Sequence, residues 1–279
     1  MLRPFLLLSA LIPLIPFPML AQAPAGEPAA ALTWLEGGAS DPFIASPPLP
    51  YPSIRPTDVL WSKRVWRVID TREKINLPFR TPDQSLYHLI EEGIREGALV
   101  AYSPEDDQFQ IPVHPDTLLQ RFHQIDSIIV RDPVSGEPRL EVVVNEFDPA
   151  RILRWRVQEV WYFDSRYSTL RPRIIGLAPL LPRQNELGEQ VYETPMFWIR
   201  YAEARHWLSR YPAPGWGNDR SLLSWEDLFE QRRFHGTITK ESELLGRRLQ
   251  DYLSGEDLLR QADRIDQEIQ QFEMNVWEE

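Results

Sequence analysis

TDVLWSKRVWRVIDTREKINLPF, residues Thr57–Phe79, sets two tryptophans, Trp61 and Trp66, in a short and highly charged run. Thr57 or Asp58 suits a helix N-cap, because either side chain accepts from backbone N–H groups left free in a first turn. The spacing predicts a helix from there to about Asp70. Trp61, Val65, Val68 and Ile69 then share one face, while Val59 and Trp66 fall on another. A helix that is apolar on two faces is either sandwiched in its own fold or touches a partner. Nothing in the stretch resembles a catalytic loop, so it raises the question of a partner before that of a substrate.

Upstream, Met1–Ala23 starts with one basic residue, Arg3, and continues from Pro4 to Leu20 without charge. Ala21-Gln22-Ala23 offers small residues at the two positions a signal peptidase reads, so 1–23 is expected to be an export leader. Pro13, Pro16 and Pro18 make a poor spanning helix of this run, since each removes a backbone donor. Residues 24–56 are rich in Pro and Ala and end in PPLPYPSIRP, which favours extended polyproline geometry over sheet or helix. This arm is either a spacer or a strap along a neighbouring subunit. Trp34, Phe43, Ile44 and Tyr51 are more apolar anchors than a plain linker requires.

Downstream, a second helix is expected after Pro82-Asp83, with Leu86, Leu89, Ile90 and Ile94 inward and Gly97 as its stop. Strands are expected over Leu99–Tyr102, Asp126–Arg131 paired with Arg139–Phe147, Arg154–Phe163, Arg171–Leu180 and Met196–Tyr201. Hairpin-length links without regular β–helix–β alternation point to an α+β fold: an antiparallel sheet with N-terminal and C-terminal helices packed on it. Ser224 with Asp227 forms a capping box ahead of WEDLFEQRRF. After Ser254, Leu258, Ala262, Ile265, Ile269, Phe272 and Val276 form a narrow heptad-like seam, expected to pack across the chain's own sheet. Residues 57–279 thus read as one domain.

Composition narrows the chemistry. The 279 residues contain no cysteine, which excludes disulfides, thiolate metal sites, cysteine nucleophiles and acylation on an N-terminal Cys. Ten tryptophans suggest a substantial core. The formal charge of −11 becomes one unit more negative without Arg3, and an acidic surface repels phosphate backbones, so nucleic acid is not an expected partner. His88, His114, His123, His206 and His235 are scattered without metal-ligand spacing. Glu105-Asp106-Asp107 lacks the frame of a calcium loop. There is no nucleophile elbow, phosphate loop or dinucleotide fingerprint. No catalytic, cofactor or metal residue is therefore expected. The competing reading is an exported hydrolase or glycan-binding domain with Trp198, Trp207 and Trp216 as a stacking platform, although Trp198 alternates within a strand and suits a core.

The motif-bearing segments resemble the GldN/PorN family. They are TDVLWSKRVWRVIDTREKINLPF, IIGLAPL (Ile174–Leu180), FWIRYAEAR (Phe197–Arg205), SWEDLFEQRRFHGTITKES (Ser224–Ser242) and FEMNVWEE (Phe272–Glu279). The likeness runs in order from about Tyr51 to Glu279. It implies a non-enzymatic component of the type IX secretion system, soluble in the periplasm and held peripherally at the outer membrane. It further implies self-association in a ring with a GldK/PorK-type outer-membrane lipoprotein, and contact with a GldM/PorM-type inner-membrane motor protein. The family label includes gliding motility, which does not follow for every secreting relative. Tyr51, Val59, Trp66, Phe272 and Trp277 are the residues expected to meet partners.

Overall fold

The computed structural model describes residues 45–81, 85–122, 124–131, 138–145, 147–184, 190–215, 223–243 and 246–278. The expected leader and most of the arm lie outside the described residues. The remainder belongs to a compact unit, Ile44–Glu279, so the last arm residues go with the domain.

The opening stretch corrects the sequence reading. Val59–Asp70 is a strand, β1, and the helix expected there does not form. A two-residue period fits it equally well. Trp61, Val65 and Ile69 point to one face of a sheet and Trp66 to the other, and β-branched Val59, Val65, Val68 and Ile69 favour a pleated surface. The two-sided apolar character that suggested a sandwiched helix belongs to a strand buried on both sides.

Strand β1 pairs antiparallel along its length with β6 (Arg154–Asp164), for example Val65 opposite Glu159 and Ile69 opposite Trp155. Next comes β7 (Thr169–Gln184), with a bulge at Ile175. It is extended by the hairpin partner β8 (Gln190–Pro195) and followed by β9 (Trp198–Arg200). Short strands β2 (Ala101–Tyr102) and β3 (Pro112–Val113) close one edge, and β10 (Thr237–Glu241) lies outside β1 at the other. The α+β class and the antiparallel sheet agree with expectation. Strands β4 (Gln124–Arg131) and β5 (Pro138–Asn145) pair with each other as anticipated but form a separate two-stranded sheet. Helix α2 (Pro115–Phe122) precedes them.

One face of the main sheet carries the helices. Helix α1 (Leu86–Arg95) buries Leu86, Leu89, Ile90 and Ile94 as predicted, and Ser85 caps it by accepting from the His88 N–H. It shares a core with α3 (Tyr201–Leu208), α4 (Trp225–Glu230), and the sheet residues Ile69, Trp155, Val157 and Leu177. The capping box at α4 is present, with the Asp227 N–H donating to Ser224 Oγ at 3.0 Å and the Ser224 N–H donating to Asp227 Oδ2 at 2.9 Å. The helix stops at Glu230, short of the expected Phe234, where Arg232 takes a left-handed φ of 52°.

Helix α5 (Gly255–Glu278) lies over the other half of the same face. Ala262, Ile265 and Ile269 pack on Val65 and Ile238, with Trp61, Trp161, Leu170 and Leu258 around them. The heptad-like seam therefore covers the chain's own sheet, while Val276 falls outside the residues whose side chains are described.

The opposite face is covered locally. Trp66, Tyr102, Ala178 and Trp198 form a small apolar cluster under Phe109, which sits in a loop at a left-handed φ of 59°. A Cβ at Gly176 would lie 2.3 Å from the Phe109 ring, so a glycine there lets the ring seat against the sheet.

Candidate partner interface

The five residues expected to meet partners are not gathered in one place. Val59 is half-buried at the start of β1, opposite Asp164, and Phe272 is half-buried on the α5 side, where it stacks on Trp61 with ring centroids 4.6 Å apart and meets Phe163 edge-on at 5.7 Å. Trp277 is in the last turns of α5, and its side chain falls outside the description. Trp66 is on the other face with 6% of its surface exposed, and Lys240 places its ammonium 4.2 Å from the ring centroid. The monomer therefore already covers the Trp66 ring. Tyr51 lies apart from all of these, on the arm.

Tyr51 is clasped by its own domain. Its ring lies between two guanidinium groups, Arg205 at 4.0 Å and Arg173 at 4.3 Å from the centroid. Its hydroxyl donates to Glu230 Oε1 at 2.7 Å. Arg205 in turn donates to the Leu49 carbonyl at 2.8 Å, so side chain and backbone of the arm are held together. The guanidinium is fixed from behind by Glu226, at 2.9 Å from Nε and 2.6 Å from Nη2, in a pair with both side chains buried. Burial pushes the Glu226 carboxyl above its ordinary pKa despite Arg205 beside it. Burial also raises the Tyr51 phenol, and the hydrogen bond to Glu230 adds to that shift, so the hydroxyl stays a donor. None of these partners was legible in the sequence, since Glu230 is 179 positions from Tyr51.

Two cation–π contacts and one exposed hydrogen bond together contribute about 1–3 kcal/mol. Tyr51→Ala is therefore expected to free the arm while leaving the domain folded. A broad-specificity protease should then cut within 45–56 several-fold faster than in the wild type, with Tyr51→Phe intermediate. Unchanged cleavage rates in both variants would show that the clasp does not hold the arm.

A second surface follows from β1. Strand β10 pairs with β1 only over Val65–Val68, with two further bonds at Ser242, whose N–H donates to the Arg64 carbonyl and whose Oγ accepts from the Arg64 N–H. Among the described residues no strand pairs with the outer edge of Val59–Lys63. Leu60 is 70% exposed there, and Met274 on α5 is exposed as well. An unpaired edge is a ready template for another chain's backbone. Lys63, bonded to Glu241 and Glu268, keeps a charge at this edge, one of the devices by which sheets limit unspecific pairing.

The glycan platform of the competing reading is not assembled. Trp198 and Trp207 are both buried, and the Trp207 indole donates to the Leu89 carbonyl at 2.8 Å. Trp216 lies outside the described residues. Among the described residues no group of three or more His, Asp or Glu side chains could hold a metal ion, and no helix is long and apolar enough to cross a membrane.

The chain is an antiparallel α+β domain with an arm clasped to it and, among the described residues, one strand edge left unpaired. A family model described as gliding motility associated protein GldN matches residues 54–278, and the chain belongs to the GldN family, a component of the gliding and type IX secretion machinery. No curated protein matches the chain.

Proposed function

We propose that this chain is a non-enzymatic structural subunit of the type IX secretion machinery. In this reading it lies in the periplasm, peripheral to the outer membrane, and forms a ring with a GldK/PorK-type lipoprotein. The ring couples to a GldM/PorM-type motor protein in the inner membrane. Residues 1–23 serve as the export leader, 24–56 as the arm and 57–279 as the ring-forming domain.

The observation that carries this reading is the family match over nearly all of the folded unit. The architecture supports it. A ring subunit needs a rigid body, and the sheet is buried on both faces by three apolar clusters. It needs surfaces for neighbours, and the β1 edge, the surroundings of Val59, Phe272 and Trp277, and the Tyr51 arm are the surfaces proposed. Repetition around a ring makes modest pairwise contacts sufficient.

The direct test is co-expression with the GldK/PorK-type lipoprotein of the same organism, without its lipid anchor, followed by size exclusion with light scattering. One large species containing both chains is expected. Two independent small species would refute the ring assignment.

A further inference from the structure

On the face of the sheet away from the helices, a cleft of about 270 Å³ opens between β6, β10 and the turn Leu249–Asp251. Trp66, Trp198 and Pro195 line it, and Arg156 and Arg248 project charge into the same space. A neighbouring hollow of about 550 Å³ shares Arg156, Thr239, Arg248 and Asp251 with it.

The lining carries three cations, Arg156, Lys240 and Arg248, and three carboxylates, Glu105, Asp107 and Asp251, but they are not all paired with one another. Lys240 is paired with Asp107 at 3.3 Å, and Arg154 with Asp70 and Glu193, each at 3.1 Å. Asp251 accepts from the backbone N–H of Arg248 at 2.7 Å and keeps its negative charge. Glu105 stands exposed at the rim. Among the described residues neither the Arg156 nor the Arg248 guanidinium has a carboxylate within 4 Å, and the buried Arg156 Nε has no hydrogen-bond partner. The Trp66 Nε1, another donor in the lining, also has none. Burial, and then the like charge of Arg248, push the Arg156 pKa down to about 10, against the smaller opposite pull of Glu193 and Asp107. Arg156 is half-buried with its Nε unpartnered, and the more distant Glu193 and Asp107 offset only part of its lost solvation; a bound anion would offset more.

We propose that this cleft receives one acidic side chain, an aspartate or glutamate, presented by a partner protein. A volume of about 270 Å³, just under the usual range of small-molecule sites, accommodates a side chain. Two guanidinium forks match a planar carboxylate, and the tryptophan and proline walls suit its aliphatic stem. The strongly acidic chain as a whole disfavours a polyanion, so recognition falls to a single locally neutralised charge. The site deepens the proposed subunit role by naming the chemistry of a contact, but its existence does not depend on ring formation.

The experiment follows the indole N–H resonances of Trp66 and Trp198 in the ¹⁵N-labelled protein. The probes are N-acetyl-glutamate methylamide, its glutamine counterpart and inorganic phosphate. A saturable shift with the glutamate probe alone is expected, weakened at least about tenfold in Arg156→Gln. Arg248→Ala, on a surface turn, gives the same readout should Arg156→Gln fail to fold. The proposal is overturned if the glutamate probe gives no saturable shift, if the glutamine probe matches it, if phosphate binds more tightly, or if Arg248→Ala binds like the wild type. Because the probes are small molecules and the protein is alone, a negative result here leaves the ring assignment standing. A negative co-expression result likewise leaves the cleft standing.

Discussion

Replacing Trp66 by alanine is expected to destabilise the isolated protein by about 3–5 kcal/mol, the usual cost of truncating a large aromatic core residue. The ring is 6% exposed and packs with Tyr102, Phe109, Ala178 and Trp198 in the only apolar cluster described on that face of the sheet. Phe109 stands edge-on to Trp198 and to Tyr102, both at 5.8 Å, so the cavity left by Trp66 opens in the cluster that seats the Phe109 loop. Lys240 loses the ring beneath its ammonium. Urea denaturation of wild type and variant measures the difference directly, and the slope should stay the same if only stability changes. Any loss of assembly should then follow the loss of folded protein. A variant that melts like the wild type yet no longer assembles would move Trp66 from the core to a subunit contact.

The same residue shows where the sequence could be read and where it could not. Local signals held. The Ser224–Asp227 capping box, the α1 stripe of Leu86, Leu89, Ile90 and Ile94, and the α5 seam each depend on residues within a few turns of one another. The β6 and β7 strands were legible from alternation and β-branched content. At β1 two periods compete. Trp61, Val65 and Ile69 are four apart, a spacing that a helix and a strand both place on one side. Lys63, Arg64 and Arg67 then look like a solvated helix face, whereas in the sheet Lys63 and Arg67 find carboxylates on β10, α5 and β6. No local rule announces those partners, because Glu268 and Asp266 are some two hundred positions away. The Tyr51 clasp and the Arg156 cleft were illegible for the same reason. Both are assembled from isolated arginines in unremarkable strand and helix positions, whose meaning depends on which neighbours the topology supplies.

Arg67→Met is expected to cost about 3–5 kcal/mol and to loosen α5 from the sheet. Arg67 sits on the helical face between the two large apolar clusters, with its guanidinium donating twice to Asp266 of α5, at 2.7 and 2.9 Å, and to the Gly236 carbonyl at 2.8 Å. Its Nε lies 3.6 Å from Glu159, which is fully buried and also holds Arg232 at 3.1 Å. One arginine therefore joins α5, the residue before β10 and the buried carboxylate of β6. Gly236 leaves room for it, since a Cβ there would lie 2.9 Å from the Arg67 side chain. Asp266 is about a third exposed, so water can take over much of what it loses. The main cost arises at Glu159, left inside with only one cation. Adding Glu159→Gln should therefore recover at least about 1 kcal/mol relative to Arg67→Met alone, because neutralising the stranded carboxylate relieves it. Hydrogen exchange along α5 should speed up in Arg67→Met while α1 stays protected, since α1 belongs to the other cluster. If the double variant is no more stable than the single one, or if α1 and α5 loosen together, the ion cluster is not what fastens the C-terminal helix to the sheet.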